Sequence, residues 1–274
     1  MIAYKGVEWY HYQGALLPRV PPHQEISLNR QEQNELLRLS KALFLRYTDE
    51  WNREDGEFWF VIKEYFGGME ELSANTRSKI RRGQKRNDVR QVDAEYIAQF
   101  GYEVYMRAFE QYDTFIEPMD PKHFEAYIRL KERCEYWGVF DKHSNKLVAY
   151  SENFTEDDMC HYSTIKFHPE FLKNYTSYIL FYEMNRYYLE SKKMRYVNDG
   201  ARSISHETNI QKFLMEKFKF KKAYVRLHIA YRRDVALAVK LLYPLKGLIE
   251  KIEHPLVNKI SVILKQEAIR RSFG

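Results

Sequence analysis

A chain of 274 residues with 45% hydrophobic and 16% aromatic residues can bury a sizeable core, which excludes a disordered protein, and its length suits one large domain or one domain with additions. Two cysteines exclude a disulfide framework, no window approaches the ~18 apolar residues of a membrane span, and the N-terminal stretch MIAYKGVEWYHYQG lacks the layout of a signal peptide, so a cytoplasmic protein is expected. The net charge is +6, and nine Lys/Arg against four acids between Arg232 and Gly274 supply +5 of it, so the remainder is nearly neutral and a generic affinity for polyanions is not implied.

Taken in chain order, residues 1–70 read as irregular and Pro-punctuated, with a helix around Arg30–Tyr47 and an aromatic strand at Phe58–Ile62. Ser73 or Asn75 can cap a helix over Leu72–Arg86, and a short strand at Val89–Val92 follows. Ile97, Gly101, Val104, Ala108 and Tyr112 recur at helical spacing, and 121–133 reads as a second helix. Strands are expected at Tyr136–Phe140, Leu147–Phe154 and Cys160–Phe167, with turn residues between them. A helix at Thr176–Ser191, a strand at Arg195–Asp199 and a helix at Glu207–Phe218 lead to a strand in which Val225, Leu227, Ile229 and Tyr231 alternate with polar residues. Beyond it, residues 234–252 carry an apolar stripe (Val235, Val239, Leu242, Ile249) interrupted by Pro244, and Pro255 starts a last helix with Leu256, Ile260, Ile263 and Leu264 on one side. The order β-α-α-β-β-β-α-β-α-β specifies one mixed sheet with helices on both faces.

Four motifs sit along that order. Phe167-His168-Pro169-Glu170-Phe171 resembles the hydrophobic-x-Pro-Glu-aromatic run that ends the fourth strand of GNAT (acyl-CoA N-acyltransferase) proteins, and Met215-Glu216-Lys217-Phe218-Lys219-Phe220 is similar to the run that ends their fourth helix. Asn198-Asp199-Gly200-Ala201-Arg202-Ser203 and Thr76-Arg77-Ser78-Lys79-Ile80-Arg81-Arg82 resemble a turn and a basic helix of the superfamily's Fem-like branch, whose members attach amino acids to peptidoglycan precursors or acylate small amines. The resemblance covers roughly residues 72–232. It implies an α/β (α+β) fold: a GNAT-like mixed, mostly antiparallel central sheet with helices on both faces, plus a C-terminal helical extension. The division it suggests is an N-terminal extension packed on the core (1–70), an acyltransferase domain (71–233) and a basic amphipathic tail (234–274).

The resemblance also implies site residues. The family's pyrophosphate loop has glycines where this chain has Tyr175 and Ser177, in Leu172-Lys173-Asn174-Tyr175-Thr176-Ser177, and Fem-like proteins share that lack. A helix N-terminus still offers N–H groups and a favourable dipole to phosphate, so Phe167, Lys173, Asn174, Tyr175, Thr176, Ser177 and Asn209 are the residues expected at a cofactor, unless Thr176 or Ser177 only caps the helix. Met215 stands where many members carry a proton-donating Tyr and cannot serve as one. Asp199, Ser203, Ser205 and His206 follow the fifth strand, where open sheets place ligands, and Asp199 beside His206 suits a general base for an amine; the same residues also suit turn bonds and a helix cap. Glu152, with Asn153, Tyr162 and Ser163 nearby, lies on the strands of the family's acceptor groove and reads either as a base or as a polar position on an alternating strand. Arg77, Arg81, Arg82 and Lys85, with Lys79 and Arg86, form two basic stripes free of acids, suited to phosphate or to a solvated face. The histidines and cysteines show no metal-ligand spacing, and no metal is expected.

These readings predict transfer of an acyl group from acetyl-CoA or another acyl-CoA to an amine on a small molecule or cell-wall precursor. The alternatives are a Fem-like transferase using aminoacyl-tRNA on a cell-wall or lipid-linked precursor, and a non-catalytic module holding an anionic partner. The tail 234–274 suits peripheral contact with the inner membrane face or packing on its own domain.

Overall fold

The computed structural model describes residues 1–112, 117–131, 133–204, 209–252 and 254–273. In chain order the elements are β1 (Ile2–Tyr4), β2 (Val7–Tyr12), β3 (Ala15–Pro18), α1 (Arg30–Ser40), β4 (Phe44–Arg53), β5 (Trp59–Lys63), α2 (Ala74–Arg86), β6 (Asn87–Val92), α3 (Ala94–Phe100), α4 (Tyr102–Phe109), α5 (Pro121–Arg129), β7 (Cys134–Asp141), β8 (Leu147–Glu156) and β9 (Met159–Phe167). A 3₁₀ turn (Pro169–Asn174) then leads to α6 (Thr176–Asn185), which runs on as a π turn (Arg186–Ser191). The chain ends with β10 (Tyr196–Ala201), α7 (Asn209–Phe218), β11 (Lys221–Tyr231), α8 (Arg233–Leu242), a 3₁₀ turn (Tyr243–Leu245), α9 (Lys246–Ile249) and α10 (Pro255–Arg271). These elements group into two compact units: Met1–Phe60, Ala201–Thr208 and Lys222–Gly274 in one, Val61–Gly200 and Asn209–Lys221 in the other.

In the first unit, the N-terminal residues that read as irregular form a meander, because two X-Gly pairs set its turns. Lys5-Gly6 and Gln13-Gly14 both have positive φ at each residue (49° and 78°; 49° and 83°), the two-residue hairpin geometry whose twist matches the flanking strands. The expected helix from Arg30 stops at Ser40, since Lys41 takes a left-handed conformation (φ 56°) and the next residues enter β4. Asn29 caps α1 in a capping box with Glu32. Leu36 and Leu37 of α1 pack on Trp9, Leu16 and Leu45, while Phe44, Phe58, Val225, Leu227 and Ile229 meet Ile269 of α10 in a second cluster.

The second unit carries β10, β9, β8, β7 and β6 side by side; β9 and β10 run parallel and the other pairs antiparallel. One face holds α3, α4 and α5 through Ile97, Val104, Tyr105, Phe124 and Ile128 against Tyr136 and Tyr150. The stretch expected as one helix over 94–112 divides at Gly101, where a Cβ would lie 2.6 Å from the Ile97 carbonyl oxygen, closer than real Cβ atoms come. On the opposite face α6 packs Phe181 near Tyr162, Phe213 and Phe218. Ser73 accepts from the Thr76 N–H and starts α2, which lies against α6.

Candidate active site

β8 sends Tyr150, Glu152 and Phe154 to the face covered by α5. Glu152 pairs with Tyr136 on one side and Thr164 on the other, and Asn153 pairs with Tyr162, so Ser163 is an extra residue in β9 and forms a bulge. A bulge bends its strand and re-aims side chains, and such features concentrate beside active sites. The Glu152 carboxylate is 1% exposed. Lys131, just beyond α5, forms an ion pair with it, and the Tyr127 hydroxyl donates to its Oε2 at 3.4 Å. The ammonium lies 4.2 Å from the Tyr127 ring centroid and 5.5 Å from that of Phe154. Burial alone would lower the Lys131 pKa, but the adjacent Glu152 charge and hydrogen bonds to Glu152 and Tyr127 outweigh it, so the ammonium is held charged. Burial also pushes the neighbouring Cys134 thiol up to about 11, which leaves it unreactive at neutral pH.

His161 lies on the same face, paired with Phe154 on one side and with Asn198 of β10 on the other. Its Nδ1 is 2.8 Å from Asn198 Oδ1, which also accepts the Gly200 N–H at 2.9 Å, while Asn198 Nδ2 meets Met159 Sδ at 3.2 Å. An amide oxygen only accepts, so Nδ1 carries the hydrogen and Nε2 keeps its lone pair. Burial holds the imidazole pKa below its ordinary value; the bonds to Asn198 work upward, and the Lys131 charge adds to the lowering. Gly200 fits this arrangement twice over: its φ is +85°, and a Cβ there would sit 3.3 Å from His161 Cε1. The Asn-Asp-Gly run, expected as a turn after the strand, instead belongs to β10, and from there it orients a histidine on the neighbouring strand.

Asp199, between Asn198 and Gly200, projects to the other face. Its carboxyl is raised to about 7 by burial, partly opposed by Gln211 of α7, and its charge is felt by Tyr162, whose hydroxyl donates to Asn185 Oδ1 at 2.9 Å. Glu152 and Asp199, named together from the sequence, therefore stand on opposite faces of the sheet. Ser203 lies half-buried after β10, in the first unit. Ser205 and His206 lie outside the described residues.

The turn before α6 brings the other expected residues together. Tyr175 adopts a left-handed conformation (φ 61°, ψ 32°) at the position where the family has a glycine, a strain on the order of 1–3 kcal/mol that the surroundings hold in place. No side chain caps α6, so the N–H groups of its first turn, Thr176, Ser177 and Tyr178, face out of the helix end. Thr176 is buried with its hydroxyl 3.5 Å from the Phe171 carbonyl oxygen. Phe167 packs on Phe181, Lys173 is exposed, and Asn209 is the exposed first residue of α7.

α2 lies directly beside this turn. Arg82 donates to the Tyr175 hydroxyl (3.0 Å), Arg86 to Asn174 Oδ1 (2.7 Å) and Lys79 to the Tyr178 hydroxyl (3.1 Å), and Asn87 Nδ2 holds the Asn174 carbonyl (2.9 Å). The approach depends on Gly83, whose added Cβ would lie 3.1 Å from the Tyr175 carbonyl oxygen. Of the four basic residues expected at an anion, Arg82 reaches the turn, whereas Arg77 donates to the Leu72 carbonyl (2.7 Å) and Arg81 and Lys85 are exposed. Sequence reasoning missed His161 and Lys131. The alternation of β9 gives both faces to polar residues, so only the cross-strand partner 37 residues away distinguishes His161. Among the described residues, no group of three His, Cys, Asp or Glu is arranged to hold a metal ion.

No protein-family model matches the chain, and no curated protein sequence matches it. Solved structures do. The C-terminal domain (DUF2156) of a protein described as a lysylphosphatidylglycerol synthetase, from Agrobacterium fabrum, superposes with a TM-score of 0.56 at 10% identity, over 85% of this chain and 83% of that one. FemX gives 0.53 at 10% identity (81% and 80%), and L-PGS from Bacillus licheniformis gives 0.52 at 10% identity (97% and 86%). At such identity the likeness speaks for the fold, and the fold is the GNAT type in its Fem-like form, as the motifs imply.

Proposed function

We propose that this protein is an acyltransferase that moves an acyl group from an activated, phosphate-bearing carrier to an amine, with His161 as general base. The observation that carries the reading is the fixed tautomer of His161: a neutral imidazole presenting an Nε2 lone pair on the sheet face that also holds Glu152 and the Lys131 ammonium. In the reaction the amine nitrogen bonds to the acyl carbon while His161 Nε2 takes its proton. The bond from acyl carbon to the carrier's oxygen or sulfur breaks, and that atom receives the proton from the imidazolium. General-base catalysis of this kind supplies roughly 10²–10⁴-fold in rate. Glu152 and Lys131 set the field of the site, in which the ammonium disfavours a second cation at His161.

The carrier's phosphate is read at the uncapped start of α6, with Arg82 and Arg86 beside it. Of the two carriers expected, aminoacyl-tRNA is the one the Fem-like fold and the glycine-poor loop support, and the exposed Arg81 and Lys85 on α2 suit an RNA backbone. Acyl-CoA is the other arm of the test. Titration with aminoacyl-tRNA and, separately, with acetyl-CoA should give micromolar binding of the tRNA, weakened at least tenfold by Arg82→Glu. Binding of acetyl-CoA alone would transfer the reading to that carrier, and binding of neither would end it.

A further inference from the structure

The fold uses the apolar stripe that the sequence shows in 234–252 and leaves a second one bare. Val239 is buried and Val235, Leu242 and Ile249 are half-buried on the inward side, where α8 meets α10 and the Arg271 guanidinium sits 3.8 Å over the Tyr243 ring. On the outward side Leu237, Leu241, Leu245, Leu248 and Ile252 are 58, 65, 49, 65 and 51% exposed. The spacings of four, four and three residues keep Leu237, Leu241, Leu245 and Leu248 on one side of the helical run, and Ile252 follows just past its end. α8, the 3₁₀ turn and α9 follow one another without a break, so the stripe is a continuous ridge.

Arg233, Lys240 and Lys251 are exposed; a separation of seven residues puts Arg233 and Lys240 on one line of α8 along the border of that ridge, and Lys251 follows just past α9. Among the described residues none of the three has an ion pair. Among the described residues the nearby acids are engaged: Asp234 accepts from Arg232 at 2.7 Å and Glu250 faces Lys246 at 3.5 Å. A leucine ridge edged by unanswered cations is the pattern of a helix lying in the headgroup region of an anionic bilayer. A second copy of the chain fits it less well, since a self-complementary contact would bring two basic rows to an interface whose described acids are already used. Among the described residues no helix is long and apolar enough to cross a membrane, so the contact is along the surface.

We infer that the outward face of α8–α9 docks this protein on an anionic lipid surface, with Leu237, Leu241, Leu245, Leu248 and Ile252 inserted and Arg233, Lys240 and Lys251 on the phosphates. What this adds about the acceptor, an amine carried on a lipid, rests on the transfer reading above; the docking itself does not.

Sedimentation of the full chain with vesicles of equimolar phosphatidylcholine and phosphatidylglycerol, with no acyl donor present, separates the two. The expected result is co-sedimentation with these vesicles and not with phosphatidylcholine alone. Lys240→Glu/Lys251→Glu should weaken it more than tenfold, at roughly fivefold or more per lost cation. Leu241→Asp/Leu248→Asp, at exposed positions that leave the core intact, should weaken it at least as much. No binding, or binding indifferent to both variants, overturns the inference. So does a dimer by light scattering that Leu241→Asp/Leu248→Asp dissociates while vesicle binding is absent, which would make the ridge a self-contact.

Discussion

Glu152 and Lys131 are each other's reason for being tolerated. A carboxylate 1% exposed is affordable only because an ammonium and a phenol answer it, and removing one partner of such a pair typically costs 3–5 kcal/mol, while replacing both can be nearly neutral. Lys131→Met is therefore expected to destabilise the protein by about 3–5 kcal/mol in urea unfolding, and Lys131→Met/Glu152→Gln to recover most of that. A single variant as stable as the parent would mean that the pair does not form. His161 shows the limit of reading residues singly. Its neighbours in sequence say nothing of its role, because Asn198 and Gly200, which fix its tautomer and give its ring room, come from the adjacent parallel strand. The Asn-Asp-Gly run was legible as special; that it lies within β10 and orients a histidine was not, since strand register is a tertiary fact.

Among elements, the contact of α2 with the start of α6 joins two features that the sequence shows separately, a basic helix and a degenerate phosphate loop. Gly83 permits it. Alanine there would gain about 1 kcal/mol of helix propensity but press its Cβ against the Tyr175 carbonyl oxygen at 3.1 Å and Ile179 Cβ at 3.3 Å, an overpacking that costs roughly 1–3 kcal/mol. Gly83→Ala is expected to lower the thermal midpoint by a few degrees and to weaken anion binding together with it. A raised midpoint would show that the two helices are not in close contact. Helix starts were readable because their caps are local: Ser73 was among the residues named. The N-terminal hairpins were not read, although Lys5-Gly6 and Gln13-Gly14 are their signal, because the short strands they join bury few residues.

For the whole molecule, the order of elements and four motifs sufficed for the fold, because the alternation of β7, β8, β9 and β11 and the helices between them each carry a local periodicity. The site was legible only in part. Residues from one segment could be listed, but whether two of them share a face depends on bulges such as that at Ser163, which no spacing rule announces. Glu152 and Asp199 were thus grouped by sequence and are separated by the sheet, and their chemistry differs accordingly. Asp199, raised to about 7 by burial, and His161, lowered by burial below its ordinary value near 6.5, predict different acid limbs for the same reaction. A base must be unprotonated to act, so the rate falls tenfold per pH unit below its pKa. The pH dependence of acyl transfer under saturating carrier is the measurement to make. With His161 as base the acid limb is centred below about pH 6.5, and His161→Gln abolishes that limb along with on the order of 10²-fold or more in rate. An acid limb near pH 7 that survives His161→Gln and disappears in Asp199→Asn would contradict the assignment and move the base to the other face of the sheet.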